Sequence, residues 1–128
     1  MIYVDTSVIL AQLLAEDRKP PAKMWTQELI SSRLAEYETL VRIHSMRLDD
    51  TFHESARRLL SRLSMLELSP LVLGRALEPF PVPVRTLDAL HLASIDYLIS
   101  QRIRIRLATY DNRMAAAAKS LRIPLEVI

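Results

Sequence analysis

Residues 1–10 read MIYVDTSVIL. Ile2, Tyr3 and Val4 lead up to Asp5, and apolar residues resume after Ser7. The first run reads as a short buried strand, and the spacing from Thr6 reads as a helix to about Glu16. A carboxylate at the end of a buried strand is costly unless something compensates it. The reading of the chain therefore turns on which partners Asp5 has.

The rest of the sequence supplies the frame. Pro20 and Pro21 close one element and suit the start of the next, a short helix anchored by Trp25. Leu29 to Leu34 is a second strand, and Ala35 to about Arg47 a helix with Tyr37, Val41 and His44 along one stripe. DDTFHE starts another helix, with Ala56, Leu59, Leu60 and Leu63 at helical spacing. MLELS is a third short strand, and Pro70 opens a further helix. PFPVPV is a rigid connection, because alternate prolines cannot join a ladder. A helix apolar nearly all round runs from about Thr86 to Ser100 and is expected to be central. IRLATY is a fourth strand, DNRMAAAAKSL an alanine-rich helix, and LEVI a fifth strand after Pro124. Strands alternating with helices predict an α/β fold: a three-layer α/β/α arrangement around a mainly parallel five-stranded sheet. The 128 residues are expected to form one domain, 1–128.

Composition narrows the function. Half the residues are hydrophobic and a quarter charged, as in an ordinary globular protein. The one glycine, Gly74, excludes a glycine-rich phosphate loop and leaves turns to Pro, Asn, Asp, Ser or charged residues. The absence of cysteine excludes disulfides and thiolate metal sites and is consistent with the cytoplasmic location expected here. No run has the length of a membrane span, and Val8 to Ala15 lacks the basic leader of a signal peptide. The net charge is only +2, yet arginines far outnumber Lys19, Lys23 and Lys119. Arginine's planar fork suits phosphate, although solvated helix faces explain the count equally well.

In a parallel sheet, ligands bind beyond the carboxyl ends of the strands. Asp5 follows strand one, Glu38 lies early in the helix after strand two, Asp111 follows strand four, and Asp88 lies near the start of the central helix. Each has an innocent reading. Asp5 and Asp111 are natural helix caps, Asp88 complements the dipole of a helix capped by Thr86, and Glu38 is spaced to pair with Arg42. Four acids on one rim nevertheless repel unless a cation lies between them, and an all-oxygen set suits Mg²⁺ or Mn²⁺. On this reasoning the metal-free rim is crowded, and Asp88→Asn should stabilise it.

The phrase RTLDALHLASIDYL, with IYVDTS near the start and LATYDNRMAAAAKSL near the end, resembles a PIN domain, and more narrowly the VapC-type toxins of bacterial toxin–antitoxin pairs. The resemblance covers essentially the whole chain. It implies a Mg²⁺-dependent ribonuclease, homodimeric, inhibited by a VapB-like antitoxin. It carries the family's acids onto Asp5, Glu38, Asp88 and Asp111 as catalytic and metal-binding residues, and its small hydroxyl positions onto Thr6, Ser7 and Thr109. SLRIP stands where such sequences often have a glycine before the last strand. Glu36 competes with Glu38 for the second position. Two residues turn a helix through about 200°, so only one of them faces the rim, and the phrase spacing favours Glu38.

Such a rim would orient a water and stabilise an in-line displacement at phosphorus with one or two metal ions. Arg85 and Arg113 are candidate phosphate contacts, with ordinary solvated arginines as the competing reading. His91 either orients an acid or is a hydrogen-bonded core residue. Two other functions are open. One is a catalytically inactive RNA- or antitoxin-binding module on the same scaffold. The other, a haloacid-dehalogenase-like phosphatase, expects a second acid two residues after the first, where this chain has Ser7.

Overall fold

The computed structural model describes residues 1–14 and 17–128. The strands are β1 (Ile2–Val4), β2 (Leu29–Ser32), β3 (Ser64–Leu66) and β4 (Arg106–Ala108). The helices are α1 (Thr6–Leu14), α2 (Arg33–Ser45), α3 (Asp49–Leu60), α4 (Pro70–Leu77), α5 (Thr86–Ser100) and α6 (Asn112–Ser120). A 3-10 turn, Ala22–Thr26, follows the double proline and buries Trp25. The helix expected to reach Glu16 is described to Leu14; Ala15 and Glu16 lie outside the described residues.

All three strand pairings are parallel, in the order β3-β2-β1-β4. The period of two sorts side chains between two cores. Ile2 and Val4 point to one face with Val8, Ile9, Leu29 and Leu60. Tyr3 points to the other with Ile30, Leu92, Ile95, Leu107 and Met114. α1 and α3 therefore cover one face and α5 and α6 the other, which is the three-layer arrangement expected. Residues Thr86 to Ser100 form the central helix as read from the sequence, with seven of its residues buried. No helix among the described residues is long and apolar enough to cross a membrane.

One expectation needs correction. The sheet has four strands, not five. The terminal LEVI segment meets β4 only at the Leu107–Leu125 bridge. Leu107 N–H donates to Pro124 O, and Glu126 N–H donates to Leu107 O. Pro124 has no N–H to extend the ladder, and Val127 is exposed. The stripe Tyr37, Val41, His44 lies on the outer face of α2. Leu34, Ala35, Thr39 and Ile43 are buried, while Tyr37 and Val41 are exposed.

With one glycine available, three left-handed positions fall to arginine: Arg47, Arg102 and Arg122, at φ 56°, 62° and 59°. They follow α2, α5 and α6, and each closes the same helix-ending motif. Arg122 N–H donates to Lys119 O, and Ile123 N–H donates to Ala118 O. The SLRIP phrase thus keeps the turn that a glycine would make more cheaply.

Candidate active site

The carboxyl ends of β1, β2 and β4 share one edge, and the backbone carries acids onto it. Asp5 directly follows β1 and its N–H donates to Ala108 O at 3.0 Å, tying the ends of β1 and β4 together. Asp5 is only 5% exposed, and its carboxylate is well served. Oδ1 accepts from Thr6 N–H at 2.8 Å. Oδ2 accepts from Ser7 Oγ at 2.8 Å and Thr109 Oγ1 at 2.7 Å. The two hydroxyls also organise the loop after β4. Ser7 Oγ accepts from Tyr110 N–H at 2.9 Å, and Thr109 Oγ1 accepts from Asp111 N–H at 3.0 Å. The small hydroxyl positions Thr6, Ser7 and Thr109 therefore fix Asp5 and place Asp111 relative to it.

Glu38 enters from α2. Its Oε1 accepts from Thr6 Oγ1 at 2.9 Å and lies 2.6 Å from His91 Nε2, while Oε2 has no hydrogen bond among the described residues. The expected Glu38–Arg42 ion pair is absent among the described residues; Arg42 lines the groove instead. Glu36 faces elsewhere, 3.2 Å from Arg33. The 200° separation thus places Glu38 on the rim and Glu36 off it.

His91 is buried, and both readings of it hold at once. Nδ1 lies 2.8 Å from Tyr3 Oη and Nε2 faces Glu38 and, at 3.8 Å, Asp5. Burial alone would push its pKa down. Tyr3, the hydrogen bond to Glu38 and the charges of Asp5 and Glu38 outweigh burial and raise it to about 10. A protonated imidazole donates from both nitrogens, to the phenol and to the carboxylate.

Asp111 caps α6, as its innocent reading had it: Oδ1 accepts from Arg113 N–H and Met114 N–H. Its other oxygen, Oδ2, faces the groove, 2.9 Å from an Arg85 terminal nitrogen. The same guanidinium donates from Nε to Asp88 Oδ2 at 3.0 Å. Arg85 is also the residue before α5, so Thr86 is that helix's first residue and not its cap. Arg85 therefore offsets one of the two charges of the pair Asp88–Asp111, whose repulsion the sequence had left uncompensated. Arg113 is exposed beside Arg85 and Asp88, along Val82 and Pro83.

One groove is lined by Asp5, Glu38, Asp88 and Asp111, with Arg42, Arg85 and His91 among them. Next to it, Arg18 lies over the Tyr110 ring at 5.1 Å. Arg18, Arg42 and the tie between His91 and Glu38 were not singled out from sequence. The i,i+4 spacing of Glu38 and Arg42, and the reading of His91 as a residue that orients an acid, were the only hints.

A model of the PIN domain family matches residues 2–120. The chain belongs to the PIN-domain family. It is 32% identical over 126 residues to Ribonuclease VapC46 of Mycobacterium tuberculosis (strain ATCC 25618 / H37Rv), covering 94% of this chain and 92% of that relative. It is also 32% identical over 127 residues to Ribonuclease VapC47 of Mycobacterium tuberculosis (strain CDC 1551 / Oshkosh), with the same coverage. Among solved structures, a toxin–antitoxin complex from Klebsiella pneumoniae superposes with a TM-score of 0.67 at 19% identity over 94% of each chain. That last likeness speaks to the fold. Together the matches place the chain among VapC-like PIN proteins.

The donor set suits a hard divalent cation: four carboxylates on one rim, without sulfur. Among the described residues no three acidic or histidine side chains close on a single point. A divalent ion there would take one or two carboxylates directly and reach the others through water. Asp88 Oδ1 and Glu38 Oε2 have no hydrogen bond among the described residues. Arg85 would have to yield its place between Asp88 and Asp111.

Proposed function

We propose that this protein is a divalent-metal-dependent endoribonuclease, the toxin of a toxin–antitoxin pair, acting through Asp5, Glu38, Asp88 and Asp111. The observation that carries the reading is the shared groove of these four acids, delivered by four separate segments of a chain related to proteins named ribonucleases. Asp5, Asp88, Asp111 and Glu38 would hold Mg²⁺, or Mn²⁺ in its place, one or two of them directly and the others through water. The bound ion would supply Lewis acidity and a water of lowered pKa.

The protein's own groups set the geometry. Ser7 and Thr109 occupy Asp5 Oδ2 and hold the carboxylate in one rotamer. Thr6 and His91 hold Glu38 by one oxygen and leave the other toward the groove. Arg85 and Arg113 stand at the rim where a phosphodiester would enter, and both are exposed. The whole chain is read as one nuclease domain of the cytoplasm. A VapB-like antitoxin and a second copy of the chain complete the reading, and the exposed Leu71, Leu73 and Leu77 of α4 offer apolar surface for such partners.

Asp5→Asn keeps the shape of the side chain and removes its charge. In Mg²⁺ the wild type should cut structured RNA and stop in EDTA, and a folded Asp5→Asn protein should be inactive. A folded Asp5→Asn variant that cleaves at near wild-type rate overturns the assignment.

A further inference from the structure

Opposite the acidic rim, at the amino-terminal edge of the sheet, lies a second groove. Its walls carry Arg102, Arg104, Arg106 and Arg122, with Ile99 and Ile103 between them. The edge assignment follows from register. Arg106 pairs with Ile2, the first residue of β1, and its N–H donates to Met1 O, whereas Val4 pairs with Ala108. Arg106 is engaged with Glu126 and Gln27. The side chains of Arg102, Arg104 and Arg122 have no hydrogen bond or ion pair among the described residues, and all three are exposed.

Two of the three sit where the backbone disfavours them. Arg102 and Arg122 occupy left-handed positions after α5 and α6, where glycine carries no steric cost. Arg47 does the same after α2, so the habit alone singles out nothing. What distinguishes Arg102 and Arg122 is that they end helices remote in sequence and yet converge on one groove with Arg104. The alternation RIRIRL sets Ile105 and Leu107 into the core while Arg104 stays exposed.

We propose that this groove is an anchoring site for the phosphate backbone of single-stranded RNA. A positively charged groove that tracks the backbone is the electrostatic part of sequence-tolerant single-strand binding; here Ile99 and Ile103, not aromatic rings, line it between the arginines. The inference rests on the ribonuclease reading for its substrate. From Arg104 to Asp111 the chain climbs the depth of the sheet, at most roughly 23 Å at strand rise. That is about seven phosphates of a stacked strand. An RNA engaged at the acidic rim can reach the arginines only if it extends several nucleotides past the cut.

The test uses the full chain with Arg102→Gly, Arg104→Gln and Arg122→Gly combined, leaving Arg106 in place. The two glycines relieve the left-handed positions, so the variant should melt no lower than the wild type. In an Asp5→Asn background with Mg²⁺, its affinity for a 20-nucleotide unstructured RNA should fall roughly tenfold at low salt, with a shallower salt dependence, since each lost phosphate contact removes part of the slope. With Asp5 intact, KM for that RNA should rise while kcat holds, and a four-nucleotide substrate should be unaffected. Arg104→Glu alone, which alters no left-handed residue, should weaken binding in the same direction. Unchanged affinity in both variants overturns the anchoring site, and if RNA is still cut the nuclease reading stands without it. Arginine-dependent RNA binding by an Asp5-intact protein that cuts no RNA does the reverse.

Discussion

His91 Nε2 lies 2.6 Å from Glu38 Oε1, so a buried imidazole in the central helix holds a rim carboxylate of α2. The same ring reaches Tyr3 Oη through Nδ1. Replacing His91 by Leu leaves a buried phenol without a partner and releases Glu38. The expected cost is about 2–4 kcal/mol, read from urea unfolding. A loss below the error of the measurement would show that the pair contributes nothing.

The same contact makes a pH prediction. The folded-state pKa of His91 is raised from 6.5 to about 10. A raised histidine pKa contributes stability that is full below the unfolded value and is lost as pH rises through the folded one. The difference in unfolding free energy between wild type and His91→Leu should therefore be largest near pH 6 and shrink toward pH 10. Equal differences at pH 6 and pH 10 would contradict a charged imidazole.

Asp88→Asn was expected from sequence to stabilise the metal-free protein. The Arg85 bridge reverses that expectation, because Asp88 already has a cation at 3.0 Å. The substitution should leave the metal-free melting temperature unchanged or slightly lower. Arg85→Ala removes the internal cation from between Asp88 and Asp111 and should tighten Mn²⁺ binding measured by calorimetry. Weaker Mn²⁺ binding would mean that Arg85 supports the ion and does not compete with it.

Ser7 joins the end of β1 to the loop after β4, donating to Asp5 and accepting from Tyr110 N–H. Ser7→Ala strands that N–H and loosens Asp5. The expected loss is about 1–2 kcal/mol, together with reduced Mg²⁺-dependent cleavage. Thermal melts and RNA assays on the same preparation separate the two effects.

Thr39 Oγ1 is buried without a hydrogen-bond partner among the described residues. Valine has the same shape without the hydroxyl, so Thr39→Val should stabilise the protein by about 1 kcal/mol. A destabilisation of that size in chemical denaturation would point to a hidden partner for the hydroxyl.

Much of the fold was legible because its signals are local. The alternation of Ile2, Tyr3 and Val4, the prolines at 20, 21 and 70, and the span of the central helix depend on chain geometry alone. The acids were legible for a topological reason: parallel strands end together. The stripe of α2 was legible but its direction was not, because Tyr37 and Val41 have helical spacing whichever side they face. The fifth strand failed because a one-residue bridge and a ladder look alike in four letters of sequence. Arg85 between two acids, and His91 behind Glu38, depend on side-chain reach across separate elements, which spacing does not encode.

Asp5, Glu38, Asp88 and Asp111 stand on segments that touch only after β1, β2 and β4 have aligned. Of the four, Asp111 leaves the ribosome last, and the loop that carries it is fastened by Ser7 from the first turn of α1. A growing chain, or one clipped before residue 111, therefore lacks the assembled acidic centre. On the proposed assignment of the four acids, any hazard the finished enzyme poses to the cell's RNA begins with the completed fold and not with its fragments.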